Sequence, residues 1–466
     1  MPESPQTVGE LRRSEYRVLP IKAELRRNLI RKLAAGDELF PGIRGYDDSV
    51  IPQIENAVLA GQDLVLLGER GQAKSRLIRA LTSLLDPAIP AIAGCEINDD
   101  PYAPICRRCR ELLAEHGDAT PLTWLTPDQR YSEKLATPDT SIADLIGEVD
   151  PIRVAEGRYL SDELTIHYGL IPRTNRGIFA INELPDLAER IQVGLLNIIE
   201  ERDVQIRGYR LRLPLDVYVV ATANPEDYTN RGRIITPLKD RFGAQVRTHY
   251  PRSLDDELAI AEQERTVFDE MPVPVTIPAF MKEIVAELSQ VARRHPQVNQ
   301  RSGVSVRVST ANYENLMSNA LRRALRTGER EAVARISDLP SLMPSTAGKI
   351  ELETWEDSDD AAVLEKILKT ACNNVFRRHF TVQEFIDLVQ RFDRGGFTVE
   401  IGDMLPVTAY AQALNELPGI ERARQKLGEA DSDLMRVAVL ELVLEGLHLG
   451  KRLNKTALDG SAVYGG

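Results

Sequence analysis

The chain has 466 residues, with 58 Lys+Arg against 70 Asp+Glu and a formal net charge of −12. Hydrophobic residues at 43% and charged residues at 27% exclude a disordered chain, a collagen-like chain and a small disulfide scaffold. The acidic balance argues against a general nucleic-acid or anionic-membrane binder, which needs a basic face.

The N-terminal stretch MPESPQTVGELRRSEYRV has no apolar core and does not read as a secretory signal. No apolar run long enough for a membrane span is present. Four cysteines in this length do not suggest an oxidising compartment, so the expected location is cytoplasmic.

Residues 1–38 read as a solvated helical leader, with a helical pattern around Ile21–Leu33. Residues 39–250 alternate short apolar runs with longer helical patterns. The runs Leu64–Leu67, Gly177–Ile181 and Val217–Ala221 suit strands buried on both faces of a parallel sheet, so the expected fold is an α/β core. Residues 251–335 read as a helical lid, 336–360 as a linker with Pro340, Pro344 and Gly348, and 361–466 as an additional all-α domain. The final GSAVYGG reads as a frayed tail.

The segment Gly68-Glu69-Arg70-Gly71-Gln72-Ala73-Lys74-Ser75 follows the first of these strands and opens a helical pattern. This is the strand–loop–helix setting of a phosphate-binding loop. Small residues let successive backbone N–H groups wrap phosphates, Lys74 would reach the β- and γ-phosphates of ATP, and the Ser75 hydroxyl would ligate Mg²⁺. Ala73 stands where the general pattern has Gly. It is tolerated if its dihedrals are ordinary helical ones, because the penalty falls on positive φ.

The run Gly177–Ile181 ends in Asn182-Glu183. Nucleotide hydrolases usually place Asp-Glu there, the Asp on the metal side and the Glu polarising the attacking water. Asn182 keeps an acceptor and loses a charge, which predicts weaker Mg²⁺ affinity or slower turnover. The third strand ends in Thr222-Ala223-Asn224-Pro225, and Asn224 is the candidate for orienting the lytic water. Arg241, in Leu238-Lys239-Asp240-Arg241-Phe242-Gly243, suits a finger offered to a neighbouring subunit's γ-phosphate.

Together these motifs resemble an AAA+ ATPase of the magnesium-chelatase I-subunit and MoxR-like family over residues of about 39 to 330. Phe40-Pro41-Gly42-Ile43-Arg44-Gly45-Tyr46 is similar to that family's base-pocket stretch. The resemblance implies a P-loop core with a helical lid, in which Arg307 is the sensor-2 arginine and Arg301 its competitor. It also implies β-hairpin insertions, one at about 203–213 and one within Asp144–Arg176. The implied assembly is a homo-oligomeric ring, a hexamer, acting on a protein client or a von Willebrand-A-type partner. The region beyond about 350 is not covered by the resemblance.

Cys95, Cys106 and Cys109 sit as C-x10-C-x2-C in an irregular insertion at about 95–120, with His116 close behind. They read either as zinc ligands or as free thiols in a reduced cytosol. The functional reading is an ATP-hydrolysing ring ATPase that remodels or matures a partner, in the MoxR manner. The alternatives are a chelatase motor driving Mg²⁺ into a porphyrin, and a nucleotide-gated assembly adaptor with weak hydrolysis, which Asn182 favours. No basic recognition helix for nucleic acid is evident.

Overall fold

A four-residue run such as Leu64–Leu67 buries every side chain only if both faces of its sheet are covered. The structure, a computed structural model, describes residues 4–150, 163–200, 203–205, 212–224, 232–268, 270, 272–300, 302–353, 360–458 and 460–466. It shows two compact units, Met1–His249 and Tyr250–Gly466.

The first unit is built on a five-stranded sheet. Its strands are β1 (Leu64–Leu67), β2 (Tyr131–Leu135), β3 (Gly177–Asn182), β4 (Val217–Ala223) and β5 (Ala244–Arg247). The order is β5-β1-β4-β3-β2, and every pairing is parallel. Successive strand residues point to opposite faces, and here both faces are apolar. Leu64, Leu66, Ile178, Ala180 and Val220 join one core with Leu25, Leu29, Leu77 and Ile78. Val65, Leu67, Phe179, Ile181 and Val219 join another with Ile191, Leu195 and Ile198. The expected parallel α/β core is therefore present.

The leader is not solvated. In the helix Ile21–Ala35, Ile21, Leu25 and Leu29 fall at i, i+4 and i+8 and are buried. Glu24 on the same face is buried and takes a two-pronged bond from Arg130, Nη1 to Oε1 at 2.7 Å and Nη2 to Oε2 at 2.6 Å. Arg130 Nε donates to the Arg176 carbonyl at 2.9 Å, just before β3 begins. Breaking such a buried pair strands a charge, at a cost of about 3–5 kcal/mol. The leader's apolar stripe is visible in sequence, but the partner of its Glu24 carboxylate, Arg130, lies 106 residues away.

Two insertions leave the sheet. Asp203–Gln205 pairs antiparallel with Arg212–Pro214, and Gly147–Val149 with Ile166–Tyr168. The connecting residues 206–211 and 151–162 lie outside the described residues.

The second unit holds the long helices Ala279–Arg294, Arg307–Thr327, Asp360–His379 and Asp433–Leu449. One apolar cluster runs from Val273 to Tyr464, so the expected lid and C-terminal region share a core. Much of the expected linker is packed too. Ile336, Leu339 and Leu342 lie buried in the turn Ile336–Leu342, and buried Asp338 accepts from Arg323 and, at 2.8 Å, from Asn319 Nδ2. The C-terminal region is helical as expected, and it also carries an antiparallel sheet. Its strands are β6 (Val399–Gly402), β7 (Asn454–Leu458) and β8 (Ser461–Gly465), in the order β6-β8-β7. The stretch expected to fray is its central strand. Tyr464 is fully buried there and donates to Glu445, which also accepts from Lys455 Nζ at 2.7 Å. Tyr464→Ala should lower the unfolding free energy by about 3 kcal/mol, read as a fall in the urea midpoint of the helical circular-dichroism transition.

Candidate functional site

The segment Gly68–Ser75 leaves β1 and turns into the helix Lys74–Ala80. Gly68 must be glycine, because a Cβ there would overlap Thr248 Oγ1 and Gln72 Oε1. Gln72 Oε1 accepts from the Glu69 amide at 3.1 Å and from the Thr248 hydroxyl at 2.6 Å. The Tyr46 hydroxyl sits 2.9 Å from the Gln72 carbonyl and 2.8 Å from the His249 carbonyl, which ties the Phe40–Tyr46 stretch to the loop. Lys74 is buried and donates through Nζ to the carbonyls of Gly68 at 2.5 Å and Glu69 at 2.7 Å. Its ammonium is thereby held within the curve of the loop. Ser75 follows in the first helical turn, half-buried, and Arg70 is exposed.

Ala73 corrects one expectation. It takes φ 56° and ψ 15°, the left-handed region, two residues after Gly71 at φ 74°. An L-residue pays roughly 1–2 kcal/mol for that conformation. The general pattern's glycine would avoid it.

The tips of β3 and β4 end side by side, since the two strands run parallel with Ala221 opposite Ile181. The Gly68 amide donates to the Ala223 carbonyl at 3.1 Å, which joins the loop to the β4 tip. Asn224 is 1% exposed at that tip, and Pro225 lies outside the described residues. Glu183 takes φ 54° and ψ 50°, and its amide donates to Thr222 Oγ1 at 3.0 Å. A non-glycine residue held in this region stores roughly 1–3 kcal/mol of strain, a feature concentrated at working sites.

Asn182 is explained by a residue the sequence reading missed. Its Nδ2 donates to Glu133 of β2, the neighbouring strand. Glu133 also accepts from Arg79 Nε at 2.8 Å, Arg79 Nη2 at 2.9 Å and the Tyr131 hydroxyl at 2.9 Å. The Arg79 bonds hold the Glu133 carboxyl below the usual carboxylate range, against the opposing effect of burial. An aspartate at 182 would face this carboxylate, whereas the amide offers it a donor. Nothing in the local spacing of Tyr131-Ser132-Glu133 announces this pairing, because the contact is made across strands.

The two arginines behave differently. Arg241 ends the helix Thr236–Arg241 and forms a two-pronged pair with Glu200, Nε to Oε2 at 2.9 Å and Nη2 to Oε1 at 3.2 Å. Arg307 opens the helix Arg307–Thr327 of the second unit and is exposed. Arg301 lies outside the described residues.

The three cysteines of the insertion do come together. Asp99 joins them, with one ligand atom from each of the four residues all within 4.8 Å of one another. His116 is exposed at the end of the helix Arg107–His116 and takes no part.

No protein-family model matches the chain. The chain is 30% identical over 209 residues to the magnesium-chelatase 38 kDa subunit of Acidiphilium rubrum, covering 43% of this chain and 55% of that protein. It is 28% identical over 257 residues to the corresponding subunit of Rhodobacter capsulatus, covering 52% of this chain and 63% of that protein. It is 24% identical over 356 residues to the magnesium-chelatase subunit ChlI of Synechocystis, covering 71% of this chain and 93% of that protein. Over these stretches the chain is similar to the I-type subunits of magnesium chelatase. It spans little more than half the length of the first of these relatives. Among solved structures, a BchI–BchD magnesium-chelatase complex aligns with 75% of the chain at 20% identity and a TM-score of 0.32, too loose a superposition to bear on the site. No helix among the described residues is long and apolar enough to cross a membrane.

Two outcomes follow from this geometry. Ala73→Gly should relieve the left-handed strain and stabilise the first unit by about 1 kcal/mol, read from the thermal midpoint. Asn182→Asp should destabilise it by about 1 kcal/mol or more, since the new carboxylate replaces a donor with a like charge. Adding Glu133→Gln to Asn182→Asp should restore the midpoint, and a double variant no better than the single one would refute the pairing.

Proposed function

We propose that this chain binds ATP at Gly68–Ser75 and hydrolyses it, as the motor of a ring that remodels or matures a partner protein in the cytoplasm. The observation that carries the reading is the buried Lys74 ammonium within a glycine-bearing loop, at the sheet edge where Glu183 and Asn224 also end. Open α/β sheets bind ligands at the carboxyl ends of their strands. A buried cation held within such a loop at a helix start suits a triphosphate, and Ser75 would hold the Mg²⁺ that accompanies it.

In this reading Glu183 is the general base for the attacking water and Asn224 orients that water. The left-handed turn at Glu183, which ends β3, fixes where this residue leaves the strand. Arg241 serves a neighbouring subunit. Its pair with Glu200 is two-thirds buried on the arginine side and half exposed on the glutamate side. With the Glu200 carboxylate half in water the pair is weak, so Glu200 can surrender the guanidinium to a phosphate. Arg307 would report nucleotide state from the helical unit. The ring is taken as a hexamer, and the client as a protein or a von Willebrand-A-type partner.

A second reading, the motor subunit of a magnesium chelatase, is favoured by the names of the relatives. The two readings share the ATPase and differ in its load.

Steady-state phosphate release separates the motor from a nucleotide-gated adaptor. Wild type should turn over ATP, and Glu183→Gln should lower kcat by at least about 100-fold, the scale of general-base loss, while nucleotide affinity stays within a few-fold. Lys74→Ala should lose binding itself, seen by titration with a fluorescent ATP analogue. No turnover in wild type overturns the motor. Magnesium insertion into a porphyrin, on adding the other chelatase subunits, would favour the second reading over the first.

A further inference from the structure

We propose that Cys95, Asp99, Cys106 and Cys109 bind one tetrahedral cation of the zinc class, which staples the loop 95–109 to the sheet. The site is independent of the ATPase reading.

The four ligand atoms, three sulfurs and one carboxylate oxygen, lie within 4.8 Å of one another. A zinc ion with sulfur ligands at about 2.3 Å needs sulfur atoms about 3.8 Å apart, so the cluster closes on a metal with a small contraction. Three thiolates and one carboxylate give four ligands, which completes a closed structural site and leaves no open position for catalysis.

The chain presents these groups from well-fixed backbone. Cys95 lies in the turn after Ile89–Ile92, with its amide on the Ile92 carbonyl at 3.1 Å. Cys106 caps the helix Arg107–His116 and Cys109 sits in its first turn, so the C-x2-C spacing puts both sulfurs on one side of a helix start. Backbone amides aim at the sulfurs. Ile97 and Asp99 donate to Cys95 Sγ at 3.4 Å each, and Cys109 donates to Cys106 Sγ at 3.3 Å. Such donors hold the sulfurs in fixed orientation, as partners of metal-ligating groups do.

Asp99 is what separates a metal site from a cluster of packed thiols. It is fully buried, and its two oxygens accept from the Ile105 and Cys106 amides at 3.1 and 3.0 Å. No ion pair to Asp99 is present among the described residues. A buried carboxylate beside three sulfurs is costly without a compensating cation. The Ile105 and Cys106 amides also fix its orientation, as hydrogen-bond partners fix a metal-ligating carboxylate.

The staple has a definable load. Asn175 Nδ2 donates to the Ile97 carbonyl at 3.0 Å, Asn98 Nδ2 to the Arg173 carbonyl at 2.9 Å, and Arg176 Nη1 to the Asp99 carbonyl at 3.4 Å. These bonds fasten the metal loop to residues 173–176, where β3 begins, the opposite end of the strand from Glu183. Cys106 and Cys109 pack in the same core as Phe179 and Ile181. The loop has no other core of its own, which is the setting in which a metal contributes most.

Metal analysis tests this directly. Protein purified without chelator should carry one equivalent of zinc per chain, and a thiol-blocking reagent should release it. Cys109→Ser should abolish that equivalent. Asp99→Asn should weaken zinc affinity by at least about 10-fold, the scale at which even outer-shell partners matter. Should either variant fold poorly, wild type stripped by chelator serves instead. It should be cut faster by protease within 95–109 while binding the fluorescent ATP analogue as before. Replacing zinc with cobalt should give sulfur-to-metal charge-transfer bands that persist in Asp99→Asn and vanish in Cys109→Ser. Zinc-free protein that also fails to take up added zinc overturns the proposal, as does a Cys106–Cys109 disulfide in freshly purified protein. Zinc retained at full affinity by Asp99→Asn overturns the carboxylate's part in it.

Discussion

Burial of β3 on both faces is the constraint on which the first unit depends. Ile178 and Ala180 face one apolar core and Phe179 and Ile181 the other, so no polar group can stand along the strand. Chemistry is confined to its two ends. At the carboxyl end stand Asn182, Glu183 and the phosphate loop. At the amino end stand Arg176, Arg130 with its buried partner Glu24, and the loop that carries the cysteines. The candidate nucleotide site and the candidate metal site are therefore opposite ends of one rigid element.

This arrangement also separates what is strained from what is braced. Ala73 and Glu183 both hold left-handed backbone at the carboxyl edge. The opposing edge is dense with bonds from buried side chains to carbonyls. Local strain persists only where the surroundings over-determine it, and here Thr222, Gln72, Thr248 and Tyr46 do so. The loop's shape is thus set partly by residues far away in sequence.

Local patterns were legible and long-range partners were not. The apolar runs of β1, β3 and β4 read correctly because two-faced burial leaves a continuous signature. The strand–loop–helix setting of Gly68–Ser75 was legible because it is local, although the dihedral at Ala73 was not. The leader, the linker and the last strand were misjudged for one reason. Each owes its order to partners elsewhere: Arg130 for the leader, Arg323 for residues around Asp338, and Glu445 for Tyr464. Glu133 and Asp99 escaped notice likewise, since an acidic residue in a strand or an irregular loop carries no periodic signal. The cysteines could be grouped from spacing, but His116 looked as good a fourth ligand as any until the helix turned it outward.

The strand order of the C-terminal sheet bears on how the second unit is made. β8 is central, yet it leaves the ribosome after both strands it joins. β6 and β7 have no direct pairing with each other, and neither is stable as a sheet without the strand between them. Synthesis therefore holds β6 unpaired through the whole of the helix Asp433–Leu449, its edges open to any other chain with free strand groups. Completion of this unit is a late event with a long loop to close. Crowded expression, rather than equilibrium stability, is the condition under which that order would tell.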